Sequence, residues 1–84
     1  RRNYVAAKGL LVHAIRVDRD NLDAHRELGL TYAGLKDAKG LQTELAWLKA
    51  KLAACPAKCE DPARVKRAVD AVEAAAGAAA PKAG

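Results

Sequence analysis

Residues 3–14 and 37–48 carry one pattern twice. Asn3 aligns with Asp37, Ala7 with Leu41, Leu11 with Leu45 and Ala14 with Leu48, each pair 34 positions apart. In both copies a residue suited to capping a helix precedes apolar residues spaced every three to four positions. A short helix with one apolar stripe gains its stability by packing that stripe, not from propensity alone. A unit recurring at this interval hides its stripe by stacking on the next. The chain is thereby directed to layered helices.

The periodicity predicts four helices, over 3–18, 22–35, 37–54 and 61–76. The first carries Tyr4, Ala7, Leu11 and Ala14 on one stripe behind Asn3 as N-cap. A polar break, Asp18-Arg19-Asp20-Asn21, follows. The second carries Ala24, Leu28, Tyr32 and Leu35, with Gly34 placed to help end it. The third, behind Asp37, carries Leu41, Leu45, Leu48 and Leu52, the cleanest stripe in the chain. The fourth opens on Asp61-Pro62, a favoured N-cap and first-turn pairing. Val65, Ala68, Val69, Val72 and Ala76 form its apolar face, and Arg64, Lys66, Arg67, Asp70 and Glu73 its wet one. Residues 77–84, Gly-Ala-Ala-Ala-Pro-Lys-Ala-Gly, are low-complexity and read as a disordered tail.

With one Trp, two Tyr and no Phe, the core must be built from Leu, Val, Ile and Ala. The net charge is +5. Its basic residues form small clusters among carboxylates, not a polybasic tract, so the motifs do not point to nucleic acid as a partner. No stretch approaches the roughly 20 apolar residues of a membrane span. The chain opens on Arg1 and has no Met, as expected of a processed protein or a segment of a longer one.

The run His25-x-x-Leu28-Gly29-x-x-Tyr32, followed by Leu41-x-x-x-Leu45, resembles the tetratricopeptide-repeat signature, and the resemblance spans about residues 3–76. It implies an all-α fold of antiparallel helical hairpins stacked as a short superhelix of about four helices. Residues 22–54 would be one full repeat, flanked by helices 3–18 and 61–76, with Leu28, Gly29, Tyr32, Leu41, Leu45 and Leu48 as the repeat core. His25 stands where the family often has Trp, and Leu41 and Leu48 where small alanines are usual. A narrower likeness rests on the Leu28-Gly29-x-x-Tyr32 helix, the leucine helix and Cys55-x-x-x-Cys59-Glu60. It is to small exported tetratricopeptide proteins of proteobacteria, and implies a periplasmic address and paired cysteines.

The family's concave groove is lined mainly by first helices. Carried over, that implies a peptide or partner groove of Asp23, Arg26, Leu30 and Ala33, with Arg64 and Arg67 nearby. The family's Lys–Asn clamp for C-terminal carboxylates is replaced by Arg26 and Leu30; a short amphipathic or acidic peptide is the expected occupant. The stripe Tyr4, Ala7, Leu11 and Ala14 lacks a preceding helix to cover it. It is the expected open-end interface, for a missing segment, a partner or another copy, and end-to-end copies would form an oligomer or a filament.

Cys55 and Cys59 flank a Pro-containing turn. Three readings fit: a local disulfide, free thiols, or metal or redox work with His13 or His25. Glu60 after Cys59 excludes the Cys-x-x-Cys-His haem attachment motif. His13 and His25 lack a nearby carboxylate pair in sequence and read as structural. Trp47, beside Leu48, reads as an edge-of-core ring on the fourth helix or as an exposed partner anchor. No Gly-rich phosphate loop, Ser nucleophile elbow or His-Glu-x-x-His motif occurs. The expectation is a non-enzymatic interaction or assembly module without cofactor. A thiol- or metal-handling accessory protein is the alternative.

Overall fold

The structure, a computed structural model, describes residues 3–55, 59 and 61–79. Four helices form: α1 (Tyr4–Val17), α2 (Leu22–Leu35), α3 (Ala38–Ala53) and α4 (Pro62–Ala79). No strand occurs among the described residues.

The starts are set by side-chain caps. Asn3, Asn21 and Asp37 each accept a hydrogen bond from the backbone N–H three residues on, satisfying a donor the helix leaves open. Asp61 accepts from the Arg64 N–H in the same way. Helix α2 ends at Leu35, as its periodicity predicts, but the cap is Lys36 and not Gly34: Lys36 stands in the left-handed region at φ 58°, with its N–H returned to Ala33 and Tyr32 carbonyls. Helix α4 departs from expectation: it continues through Gly77 to Ala79, because the alanines there favour helix and outweigh one glycine. The expected tail is thus helical at 77–79, and residues 80–84 lie outside those described.

Leu41, Leu45 and Leu48 of α3 meet Ala68, Val69 and Val72 of α4 in one buried cluster. Each fully buried Leu or Val contributes about 1.5–3 kcal/mol of hydrophobic stabilisation. Helix α2 closes this cluster with Leu22, Leu30, Tyr32 and Ala33 at its edge. Leu28 and Gly29 are buried and Tyr32 is half-buried. Close approach is bought with small residues: a Cβ on Gly29 would stand 3.1 Å from both Val72 methyls.

Helices α2, α3 and α4 pack on one another, whereas α1 packs on α2 alone. No residue of α1 is fully buried. This is an all-α hairpin arrangement in which one terminal helix is held from a single side.

Candidate functional site

The first turns of α2 and α4 run beside each other and leave a shallow cleft of about 390 Å³. Leu22, Ala68 and Ala71 give it apolar lining, and Asp23, Arg26, Arg64 and Arg67 give it charge. Arg64 pairs with Asp23 across the two helices. Arg26 pairs with Glu27 at 2.7 Å. Arg67 has no ion pair among the described residues. The pairs are half open to water, where such contacts are worth roughly 0–1 kcal/mol and exchange readily for another anion. The cleft can therefore present guanidinium groups to a carboxylate, which they bind in a bidentate fork.

Of the expected groove residues, Asp23, Arg26, Arg64 and Arg67 line this cleft. Leu30 and Ala33 do not. They are half-buried and packed against the α3–α4 core. An adjoining hollow of about 430 Å³ shares Leu22, Asp23 and Arg64, and adds Asp20, Lys51, Cys59 and Asp61 to its wall.

A second cluster lies between α2 and α3. His25 is 6 % exposed and Glu44 7 %. Imidazole Nδ1 stands 2.6 Å from Glu44 Oε1, and Nε2 stands 2.9 Å from the Arg19 carbonyl oxygen. Trp47 stacks on the imidazole with ring centroids 3.6 Å apart. Lys51 places its ammonium 5.6 Å from the Trp47 ring centre and 3.7 Å from Asp20. Trp47 is half-buried at the edge of the α3–α4 core, as expected, and its ring also stacks on His25. The carboxylate facing His25 stands 19 residues away along the chain, and no local motif announces it.

Tyr32, on α2, has its phenol raised above its ordinary value of 10.0, first by burial and then by the negative charges of Glu44 and Asp37.

Cys55 and Cys59 stand at disulfide distance, with Cα atoms 5.2 Å apart, after the end of α3. Residues 56–58 between them lie outside those described. Among the described residues no three His, Cys, Asp or Glu side chains converge as a metal site would require. No described helix is long and apolar enough to cross a membrane.

On α1 the stripe Tyr4, Ala7, Leu11 and Ala14 is half-buried, with Tyr4 resting on Gly34 of α2. The large apolar side chains left open are Val5, Leu10 and Val17, each more than 70 % exposed. Leu10 and Val17 share a flank with Ala7 and Ala14 by their three-four-three spacing. The expected stripe Tyr4, Ala7, Leu11 and Ala14 is turned toward α2, so the most open apolar side chains lie beside it on the helix.

Comparison of the chain with protein-family models, with curated proteins and with solved structures finds no match.

Proposed function

We propose that this chain is a non-enzymatic interaction module of tetratricopeptide-repeat type, holding a protein or peptide partner in the cleft between α2 and α4. The observation that carries it is the convergence of Arg26, Arg64 and Arg67 around Leu22, Ala68 and Ala71. Cationic walls beside small apolar residues suit a short acidic or amphipathic segment. Its carboxylates would displace Asp23 and Glu27 from their arginines, and a small apolar side chain would cover the alanines. The cysteine pair at disulfide distance supports an oxidising, exported setting such as the periplasm.

Selection of a displayed peptide library tests the cleft. Wild-type protein should enrich peptides with spaced Asp or Glu residues, and R26E/R67E should lose them. The variant K49E/K66E makes the same charge change away from the cleft and should keep them. Equal enrichment on wild type and R26E/R67E would remove the cleft from consideration.

Self-association is a second use of the fold, favoured by the exposure of Val5, Leu10 and Val17 on a helix packed from one side only. Copies stacking through α1 would sediment as dimers or larger species at high concentration, and L10E would return them to monomer. A concentration-independent monomer would exclude it.

A further inference from the structure

The His25–Glu44 pair has a proton count that its geometry fixes. The Arg19 carbonyl can only accept, so Nε2 carries hydrogen and donates to it. The 2.6 Å gap between Nδ1 and Oε1 then needs one proton within it. Either imidazolium faces carboxylate or neutral imidazole faces carboxylic acid. Both descriptions hold one shared proton and no net charge. Removing that proton sets a carboxylate against a ring lone pair. Adding another leaves a buried imidazolium without a counter-charge, which is costly away from water.

The neighbours give no substitute counter-charge at contact distance. From the α1–α2 turn, Asp20 is engaged by Lys51 at 3.7 Å, and Asp18 caps the turn by accepting from the Asp20 N–H. From α3, Lys51 lies over Trp47 and adds positive charge to the same cluster. From α2, Tyr32 is a neutral phenol. From α4, apolar Val72 packs at Gly29, one turn along α2 from His25, where a Cβ would touch it together with Glu44 Cβ.

The same imidazole joins three parts of the chain. It grows from the first turn of α2, binds Glu44 of α3, and clips the Arg19 carbonyl of the turn that delivers α1. Among the described helices α1 packs on α2 alone, and none of its residues is fully buried. The α2–α3–α4 core does not depend on it. A helix with so little buried surface belongs to the least stable part of a fold.

We propose that His25 and Glu44 form a proton-operated latch for α1. With one shared proton the latch holds the α1–α2 turn against α3. Uptake of a second proton expels the imidazolium toward water, breaks the bond to the Arg19 carbonyl and the stack on Trp47, and undocks α1. Release uncovers buried Thr31 on α2 and the half-buried stripe Tyr4, Ala7, Leu11 and Ala14 on α1. Acidification thereby converts a closed stack into a three-helix core with a free terminal helix.

Amide exchange on the full chain is read from about pH 6 down to about 2, because a released imidazolium and carboxylate together hold the same single proton as the closed pair until the solution enters the ordinary carboxylate range. After correction for intrinsic rates, protection of α1 amides should fall about tenfold per pH unit below the midpoint, the slope of one proton taken up on release. The α3 amides should stay protected, and Trp47, the only tryptophan, should shift to the red and become open to acrylamide. In H25Q/E44Q the pH dependence of α1 protection should vanish. Joint loss of α1 and α3 protection, a flat profile, or an unchanged slope in H25Q/E44Q would each overturn the latch. Should that variant not fold, NMR of the His25 imidazole and Glu44 carboxyl in the wild type decides. Proton uptake there must share its midpoint with α1 release, and separate midpoints overturn it.

Discussion

Tyr32 lays its ring across Gly40, so that α2 and α3 meet where the third residue of α3 has no side chain. A Cβ there would stand 2.6 Å from Cδ1 and Cε1 and 2.8 Å from Cγ of the ring. Tyr4 repeats the relationship on Gly34 of α2, but with the far end of its ring. The two glycines differ in what must move. At Gly40 the clash reaches Cγ, near the root of a side chain held at the edge of the core. At Gly34 it reaches the tip of a ring at the first residue of a loosely held helix.

G40A should therefore lose stability and G34A should lose less, even though alanine is the better helix former at both sites. Overpacking costs about 1–3 kcal/mol, against a propensity gain of at most about 1 kcal/mol. Urea denaturation should show G40A lowered by up to roughly 2 kcal/mol on that difference. For G34A the change should be confined to faster exchange in α1. Equal global destabilisation of the two would show that the tyrosines are held alike.

What the sequence could announce was local. The caps Asn3, Asp37 and Asp61 act within three residues, and the α3 and α4 stripes act by period, so both are visible in the chain itself. The end of α2 at residue 35 was legible too, although Lys36 forms the left-handed cap and Gly34 instead leaves room for the Tyr4 ring. Two of the six expected groove residues fall outside the cleft for a rotational reason: Leu30 and Ala33 lie on the flank of α2 that the α3–α4 core draws in. The His25–Glu44–Trp47 cluster had no signal at all. Its members are separated by a turn and two helix segments, and only packing joins them.

Gly29 sets the approach of α2 to α4 through Val72. G29A pushes a methyl to 3.1 Å from both Val72 methyls and 3.5 Å from Glu44 Cβ. Val72 is fully buried and has little room to yield. G29A should cost about 1–3 kcal/mol, and V72A alone about 2 kcal/mol for its cavity. The double variant G29A/V72A should be more stable than the sum of the two losses, since each change relieves the other. Additive losses in a chemical denaturation cycle would place the strain elsewhere.

The Cys55–Cys59 pair closes a very short loop, so in the chain-entropy account a bridge there contributes about 2 kcal/mol. Non-reduced protein should weigh two hydrogens less than reduced protein, with no metal retained. C55S/C59S should melt several degrees lower, by about 4–8 °C per kcal/mol for a domain of this size. The loss should appear at the start of α4, because Cys59 lies just ahead of Asp61 and lines the same hollow as Arg64 and Val65. Equal melting of the oxidised and reduced forms would assign the pair no structural role.

Tyr32 gives the fold a dependence on alkaline pH. Its phenol is raised in the folded chain by burial, then by Glu44 and Asp37. The folded state therefore holds the proton after the unfolded chain has begun to lose it. The stabilisation is complete below the ordinary value of 10.0 and is lost as pH climbs through the raised folded value. Y32F has no phenol to ionise. The hydroxyl makes no hydrogen bond among those described, so Y32F should match wild type near neutrality. Above about pH 10 wild type should lose stability faster than Y32F, which has no phenol at this position to ionise. Denaturation midpoints for both proteins across that range check it, with ultraviolet absorbance of tyrosinate as the direct readout. Parallel midpoints would mean that Tyr32 ionises alike in the folded and unfolded chain.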